Sequence, residues 1–241
     1  MTAWQFGPEL SANSVTRFRL WAPDAIEQGC PVRLEVLGLG SRLMREASNG
    51  WLEVEAPCGG GSRYRFRLDN GMSVPDPASR AQAVDVHGAS IVCDASEYAW
   101  CNPDWLGRPL EDAVIQEMDT DSDHSFMELA SQLPSLAARG FNAVSLTLPA
   151  QNSAAHKFFY APLPFAPDRS YGGPNQLRAL VDRAHGFGMM MLMTFAYDEF
   201  ASEGNQLGQY ASPFFQRNGP GNAINFQHPA VRQFFTENAL Y

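Results

Sequence analysis

The segment Phe165 to Phe200 constrains this chain more than any other, because it reads as loop, helix, tight turn and strand in direct succession. Gly173 and Pro174 open the helix, with proline at the first helical position, where its missing N–H is not needed. Leu177, Leu180, Val181, Ala184 and Phe187 recur at the spacing of one apolar helix face. Gly186 and Gly188 supply the backbone freedom of a helix C-terminus. The apolar run Met189 to Phe195 is too short for a second helix and predicts a strand buried on both faces. A helix feeding such a strand is the repeating unit of a parallel α/β sheet. Chemistry in those sheets sits just past the C-terminal strand ends, so Tyr197, Asp198 and Glu199 are the first candidates for a functional site.

Upstream the period is two rather than 3.6. Arg17 to Trp21 alternates and runs into Ala22-Pro23-Asp24, and Val32 to Val36 alternates again. Leu43 to Glu46 and Trp51 to Val54 flank Asn49-Gly50, a strong hairpin signal, and Tyr64 to Leu68 ends in Asp69-Asn70-Gly71. Short strands at this spacing predict an immunoglobulin-like β-sandwich. With the Pro-, Asp- and Ser-rich connector Met72 to Trp105, it forms a first domain over residues 1–105. Trp21, Trp51 and Tyr64 read either as core or as a sugar-stacking platform.

From residue 106 the pattern changes to strand–helix alternation. Val114 to Met118 is a strand, and Ser125 with Glu128 forms a capping box for the helix that follows. Pro134 falls in the middle of that helix and is expected to kink or divide it. Ala143 to Leu148 is a second strand, and a last helix starts at Pro229 with Val231, Phe234 and Phe235 on its apolar side. Residues 106–241 therefore read as a second domain of three βα units.

At 241 residues, 45% apolar and 18% charged, the chain is long enough and apolar enough to bury a core. Its net charge of -9 argues against nucleic acid or an anionic membrane as partner. No run approaches membrane-spanning length and no secretory signal opens the chain, so a soluble cytoplasmic protein is expected. The four cysteines form no close pair and the five histidines no i, i+4 pair, so neither metal nor cofactor is expected. Asp119, Asp121 and Asp123 alternate like the first ligands of a calcium loop, but His124 and Ala130 stand where glycine and glutamate are needed. A solvated acidic loop is the reading that remains. Asp198 and Glu199 make a poor acid/base pair, because neighbours on an extended segment point in opposite directions.

Seven stretches, in this order and spacing, carry a resemblance over essentially the whole chain. They are FRLWAPDA (18–25), VPDPASRAQ (74–82), VHGAS (86–90), GRPLEDAVI (107–115), FAPDRSYG (165–172), LVDRAHGFG (180–188), and AINF with VRQFFTENALY near the end. The chain resembles the α-amylase family of glycoside hydrolases (family 13), specifically its maltooligosyltrehalose trehalohydrolase branch. The resemblance implies a glucan-type β-sandwich followed by a partial TIM-type (β/α)₈ barrel, and a family activity that releases trehalose from maltooligosyl trehalose. It also implies that the two catalytic carboxyls lie at the ends of barrel strands four and five. The sequence reaches strand three, so no catalytic residue is assigned.

In the family the third strand ends in Asp-x-x-x-Asn-His; here the matching positions are Thr194, Asp198 and Glu199. The family's Asn-Trp-Gly-Tyr-Asp loop matches His156-Lys157-Phe158-Phe159-Tyr160, which leaves Phe159 and Tyr160 beside Tyr197, Asp198 and Glu199 as substrate-binding candidates. The expectation is a truncated, non-catalytic relative, a pseudoenzyme that binds α-glucan or maltooligosaccharide. The alternatives are a regulatory or assembly partner, homo-oligomer included, that completes its open half-barrel with another chain, or a glycosidase active only with a separately encoded second half.

Overall fold

The computed structural model describes residues 4–11, 13–119, 125–147, 150–151, 163–195, 197–198, 200, 204–216 and 223–241. The chain divides into two compact units. The first joins Met1–Asp94, Ala150–Ala166 and Tyr197–Tyr241; the second joins Ala95–Pro149 and Pro167–Ala196.

The first unit is built on two antiparallel sheets. One has the order β1 (Glu9–Leu10), β2 (Thr16–Trp21), β6 (Trp51–Ala56), β5 (Arg45–Glu46). The other has the order β4 (Gly40–Leu43), β3 (Arg33–Val36), β7 (Arg63–Arg67), β8 (Ser73–Val74), with β9 (Ser90–Ile91) also on β7. The Asn49-Gly50 hairpin is present: Asn49 has φ 61° and Gly50 φ 81°, and β5 pairs antiparallel with β6. Alternation places Phe18 and Leu20 from one sheet, and Leu34, Val36, Tyr64 and Phe66 from the other, in one buried core. The Phe18 and Tyr64 rings meet there with centroids 4.7 Å apart.

The end of the chain completes that core. The short helix α1 (Pro23–Glu27) follows β2, while α4 (Pro229–Leu240) supplies Val231, Phe234 and Phe235, all buried. Phe234 meets Phe6, Phe165 and Phe214 edge-on at 5.0, 5.1 and 5.2 Å. The helix expected at Pro229 is therefore found, and its apolar side serves the core of the first unit.

In the second unit β10 (Ile115–Asp119), β11 (Ala143–Thr147) and β14 (Met190–Thr194) form a parallel sheet in that order. The two-residue β12 (Ala150–Gln151) and β13 (Leu163–Pro167) pair separately and, but for Pro167, belong to the first unit. Helices α2 (Phe126–Ala138) and α3 (Pro174–Gly186) share a core with the parallel sheet through Leu129, Leu133, Leu136, Leu180 and Ala184 against Met118, Val144 and Leu146. The capping box is formed: the Ser125 N–H donates to Glu128 Oε2 at 2.6 Å, and the Glu128 N–H returns to Ser125 Oγ at 3.3 Å.

Two expectations change. Pro134 does not divide α2, which runs unbroken through it; the residue is exposed, so water can meet the carbonyl that its missing N–H leaves unbonded. Nor is β14 buried on both faces. Met190 is buried, but Met191 to Met193 are half-buried and Thr194 is exposed, because α2 and α3 cover one side of the sheet. Among the described residues the three strands form an open sheet with no closed barrel, and no helix is long and apolar enough to cross a membrane.

Candidate functional site

Past β14, Tyr197 is tied inward rather than presented outward. Its hydroxyl donates to Asn238 Oδ1 at 2.5 Å, and its ring lies 4.8 Å from that of Phe235. Asn238 in turn donates from Nδ2 to the Pro164 carbonyl at 3.0 Å. Partial burial raises the phenol's pKa. Asp198 is exposed, and its backbone carbonyl accepts the Ile224 N–H at 3.2 Å. Thr194 is exposed in the second unit with its hydroxyl 3.4 Å from that of Ser145. Phe159, Tyr160, Glu199 and the acidic positions Asp121 and Asp123 lie outside the described residues.

The two tryptophans singled out for sugar stacking are enclosed. Trp21 is 3% exposed; its indole N–H donates to the Asn49 carbonyl at 3.0 Å and its ring meets those of Phe214 and His228. Trp51 is 5% exposed, between the Phe6 ring at 4.6 Å and the Arg19 guanidinium at 4.3 Å. At these exposures neither ring offers a free face to a sugar. Among the described residues no cluster of three or more His, Cys, Asp or Glu is placed to hold a metal ion.

Three buried carboxylates escaped the sequence reading. Asp76, within VPDPASRAQ, accepts the Tyr64 hydroxyl at 2.7 Å and the Ala78 N–H at 2.8 Å. Burial raises its pKa to about 6 against the pull of those bonds. Arg80 of the same motif is buried in the first unit, its guanidinium 4.0 Å from the Tyr241 ring and 4.3 Å from that of Phe165. Asp182, within LVDRAHGFG, accepts from the Cys101 and Asn102 N–H groups at 2.8 and 3.0 Å and from the Tyr98 hydroxyl at 3.1 Å. Burial opposes its ionisation, but these donors together outweigh burial and hold the pKa at about 2. Glu237 on α4 takes the Phe6 N–H at 2.9 Å and the Gln5 N–H at 3.0 Å. Each of these carboxylates is engaged by donors of its own unit. Their arrangement anchors loops and termini, and motif membership was the one available signal of their importance.

No protein-family model matches the chain. Among curated proteins it is similar to the malto-oligosyltrehalose trehalohydrolase of Deinococcus radiodurans, 32% identical along 95% of the chain and 38% of the relative. The corresponding enzyme of Saccharolobus solfataricus is 31% identical, along 98% of the chain and 43% of the relative. A 1,4-alpha-glucan branching enzyme of Mycobacterium tuberculosis is 29% identical over 93% of the chain and 34% of the relative. Among solved structures, a Salmonella typhimurium protein provisionally named an alpha amylase superposes with TM-score 0.92 at 35% identity, over 99% of the chain and 41% of its own. The pullulanase of Anoxybacillus sp. LM18-11, crystallised with maltotetraose, shares the fold alone: TM-score 0.76 at 17% identity, over 98% of the chain and 42% of its own. The chain thus spans about two fifths of the length of the first two trehalohydrolases.

The chain is a relative of the α-amylase family of glycoside hydrolases. Its sequence kinship runs to the maltooligosyltrehalose trehalohydrolases.

Proposed function

We propose that these 241 residues form an immunoglobulin-like β-sandwich followed by the opening βα units of a (β/α)₈ barrel, and that they bind α-glucan without cleaving it on their own. The observation that carries this reading is the 32% identity to a maltooligosyltrehalose trehalohydrolase along 95% of the chain. Two antiparallel sheets sharing one core, and a parallel sheet threaded through α2 and α3, support the architecture. In this reading the functional division falls near residue 105, where the sequence period changes. The maltotetraose held by the pullulanase of like fold supports a maltooligosaccharide as ligand.

Hydrolysis with retention needs two carboxyls flanking the scissile bond. In the family these come from strands beyond the three carried here, so no residue of these 241 is given that role. Phe159, Tyr160, Tyr197, Asp198 and Glu199 are the proposed sugar contacts. The test is calorimetric titration of the purified protein with maltotetraose, beside a trehalose-release assay on maltotetraosyl trehalose. Binding without release supports the reading. Trehalose release that scales with protein and survives further purification overturns its non-catalytic part, and absence of binding overturns the glucan-binding part.

A second reading rests on the open sheet. Both β10 and β14 are edges among the described residues, and the half-buried Met191 to Met193 sit on one of them. Unpaired edges with apolar side chains favour association, here with a second copy or a separately supplied partner that completes the sheet. Light scattering decides it: a defined dimer supports this reading and a monomer at all concentrations removes self-association.

A further inference from the structure

The outward face of the sheet β4-β3-β7-β8 carries Arg33, Arg63, Arg65 and Arg67 against a single strand carboxylate, Glu35. Alternation sends Leu34, Val36, Tyr64 and Phe66 inward, so the arginines between them point away from the core. This concentration stands out in a chain whose net charge is -9.

Sheet stability does not account for it. Glu35 lies opposite Arg65, a favourable cross-strand pair, but Arg33 lies directly opposite Arg67, which is unfavourable for like charges, and Arg63 has no strand carboxylate opposite it. Edge protection does not account for it either, because β7 is interior, with β3 on one side and β8 and β9 on the other. Glu35 reaches Arg67 at 3.1 Å, while Arg33 donates to the Ser41 hydroxyl at 2.7 Å and Arg65 to the His87 carbonyl at 3.0 Å. The last two acceptors are neutral, and Glu35, in register opposite Arg65 and paired with Arg67, is one strand carboxylate against four arginines, so the face keeps a net positive charge. A local rule broken at a surface position is what a binding site looks like before its partner arrives.

We propose that this face docks an extended acidic polypeptide segment of a partner protein. Alternate residues of a strand repeat at about 6.6 Å, so Arg63, Arg65 and Arg67 match carboxylates placed at every second residue of an extended chain. The arginine fork fits a carboxylate with two parallel hydrogen bonds. Nucleic acid fits less well: no outward strand residue of this sheet is aromatic, so bases find no stacking platform.

The experiment is fluorescence anisotropy of the 241-residue protein with a labelled (Glu-Thr)₅ peptide, its (Gln-Thr)₅ analogue and a ten-nucleotide oligo-dT. The Glu peptide is expected to bind in a salt-sensitive manner, at least tenfold tighter than the Gln analogue. The double variant Arg63→Gln/Arg65→Gln is expected to weaken it at least tenfold with an unchanged thermal midpoint. Arg42→Gln/Arg45→Gln removes the same charge from elsewhere and is expected to change affinity less than threefold. Equal losses in the two double variants, tighter binding of oligo-dT, or no binding of the Glu peptide would each overturn the proposal.

Discussion

The Tyr64 hydroxyl donates to the Asp76 carboxylate at 2.7 Å, with both side chains closed off from solvent. Burial lifts the Asp76 pKa from 3.8 to about 6, so between those values the folded protein holds a proton that the unfolded chain releases. Stability falls with pH wherever the folded state binds more protons. The contribution of Asp76 is therefore greatest below pH 4, declines through pH 6, and is then flat, a change on the order of 3 kcal/mol. Urea midpoints measured from pH 4 to pH 7 are expected to show that slope, and Asp76→Asn is expected to flatten it.

Asp182 behaves oppositely. Its folded pKa of about 2 lies below the ordinary 3.8, so its stabilisation is present above pH 4 and is lost as pH falls through 2. Asp182→Ala strands the Cys101 and Asn102 N–H groups and is expected to cost about 2 kcal/mol. Amide hydrogen exchange at 101 and 102 should accelerate. Asp182→Asn keeps one acceptor oxygen and should fall between.

Phe234 has no exposed surface and meets five other aromatic rings edge-on or tilted: Phe6, Phe165, Phe200, Phe214 and Phe235. Phe234→Ala leaves a void that this packed cluster cannot close, at a cost of about 3–5 kcal/mol. A thermal midpoint lowered by roughly 10 °C is the expected result.

Gly50 separates two kinds of strain. A Cβ there would sit 3.1 Å from both Pro23 Cβ and Trp21 Nε1, at a φ of +81°. Gly38 has nearly the same φ, +85°, and nothing within 4 Å. Gly50→Ala should therefore cost about 1 kcal/mol more than Gly38→Ala and shift the Trp21 fluorescence, which the second variant leaves alone.

Signals that act across a few residues were legible in the sequence. The Asn49-Gly50 turn, the Ser125–Glu128 box and the alternation of β2 and β7 each follow from local backbone chemistry. Longer-range facts were not. Periodicity reveals that α4 has an apolar side, not which core receives it. An apolar run such as Met189 to Phe195 does not say whether a second layer covers its other face. Asp182 and Glu237 carry charges, which ordinarily belong at the surface, and the backbone donors that hold them buried lie about 80 and 230 residues away. Strand-end logic led to Tyr197, but Asn238, which fixes its hydroxyl, is 41 residues further on.

The interleaving of the first unit has a consequence for biosynthesis. Phe6, which packs on Trp51, is met edge-on by Phe234 of α4, a helix translated well over two hundred residues later, so the strands formed early wait on the ribosome with that side of their core uncovered. At bacterial or eukaryotic elongation rates the interval between Trp51 and Phe234 is roughly ten to forty seconds. During it the nascent chain presents a patch of aromatic surface to whatever holdase or neighbouring polypeptide is near. Yield of native protein is then governed by the speed of synthesis and by chaperone supply, with the final stability of the finished fold a separate matter.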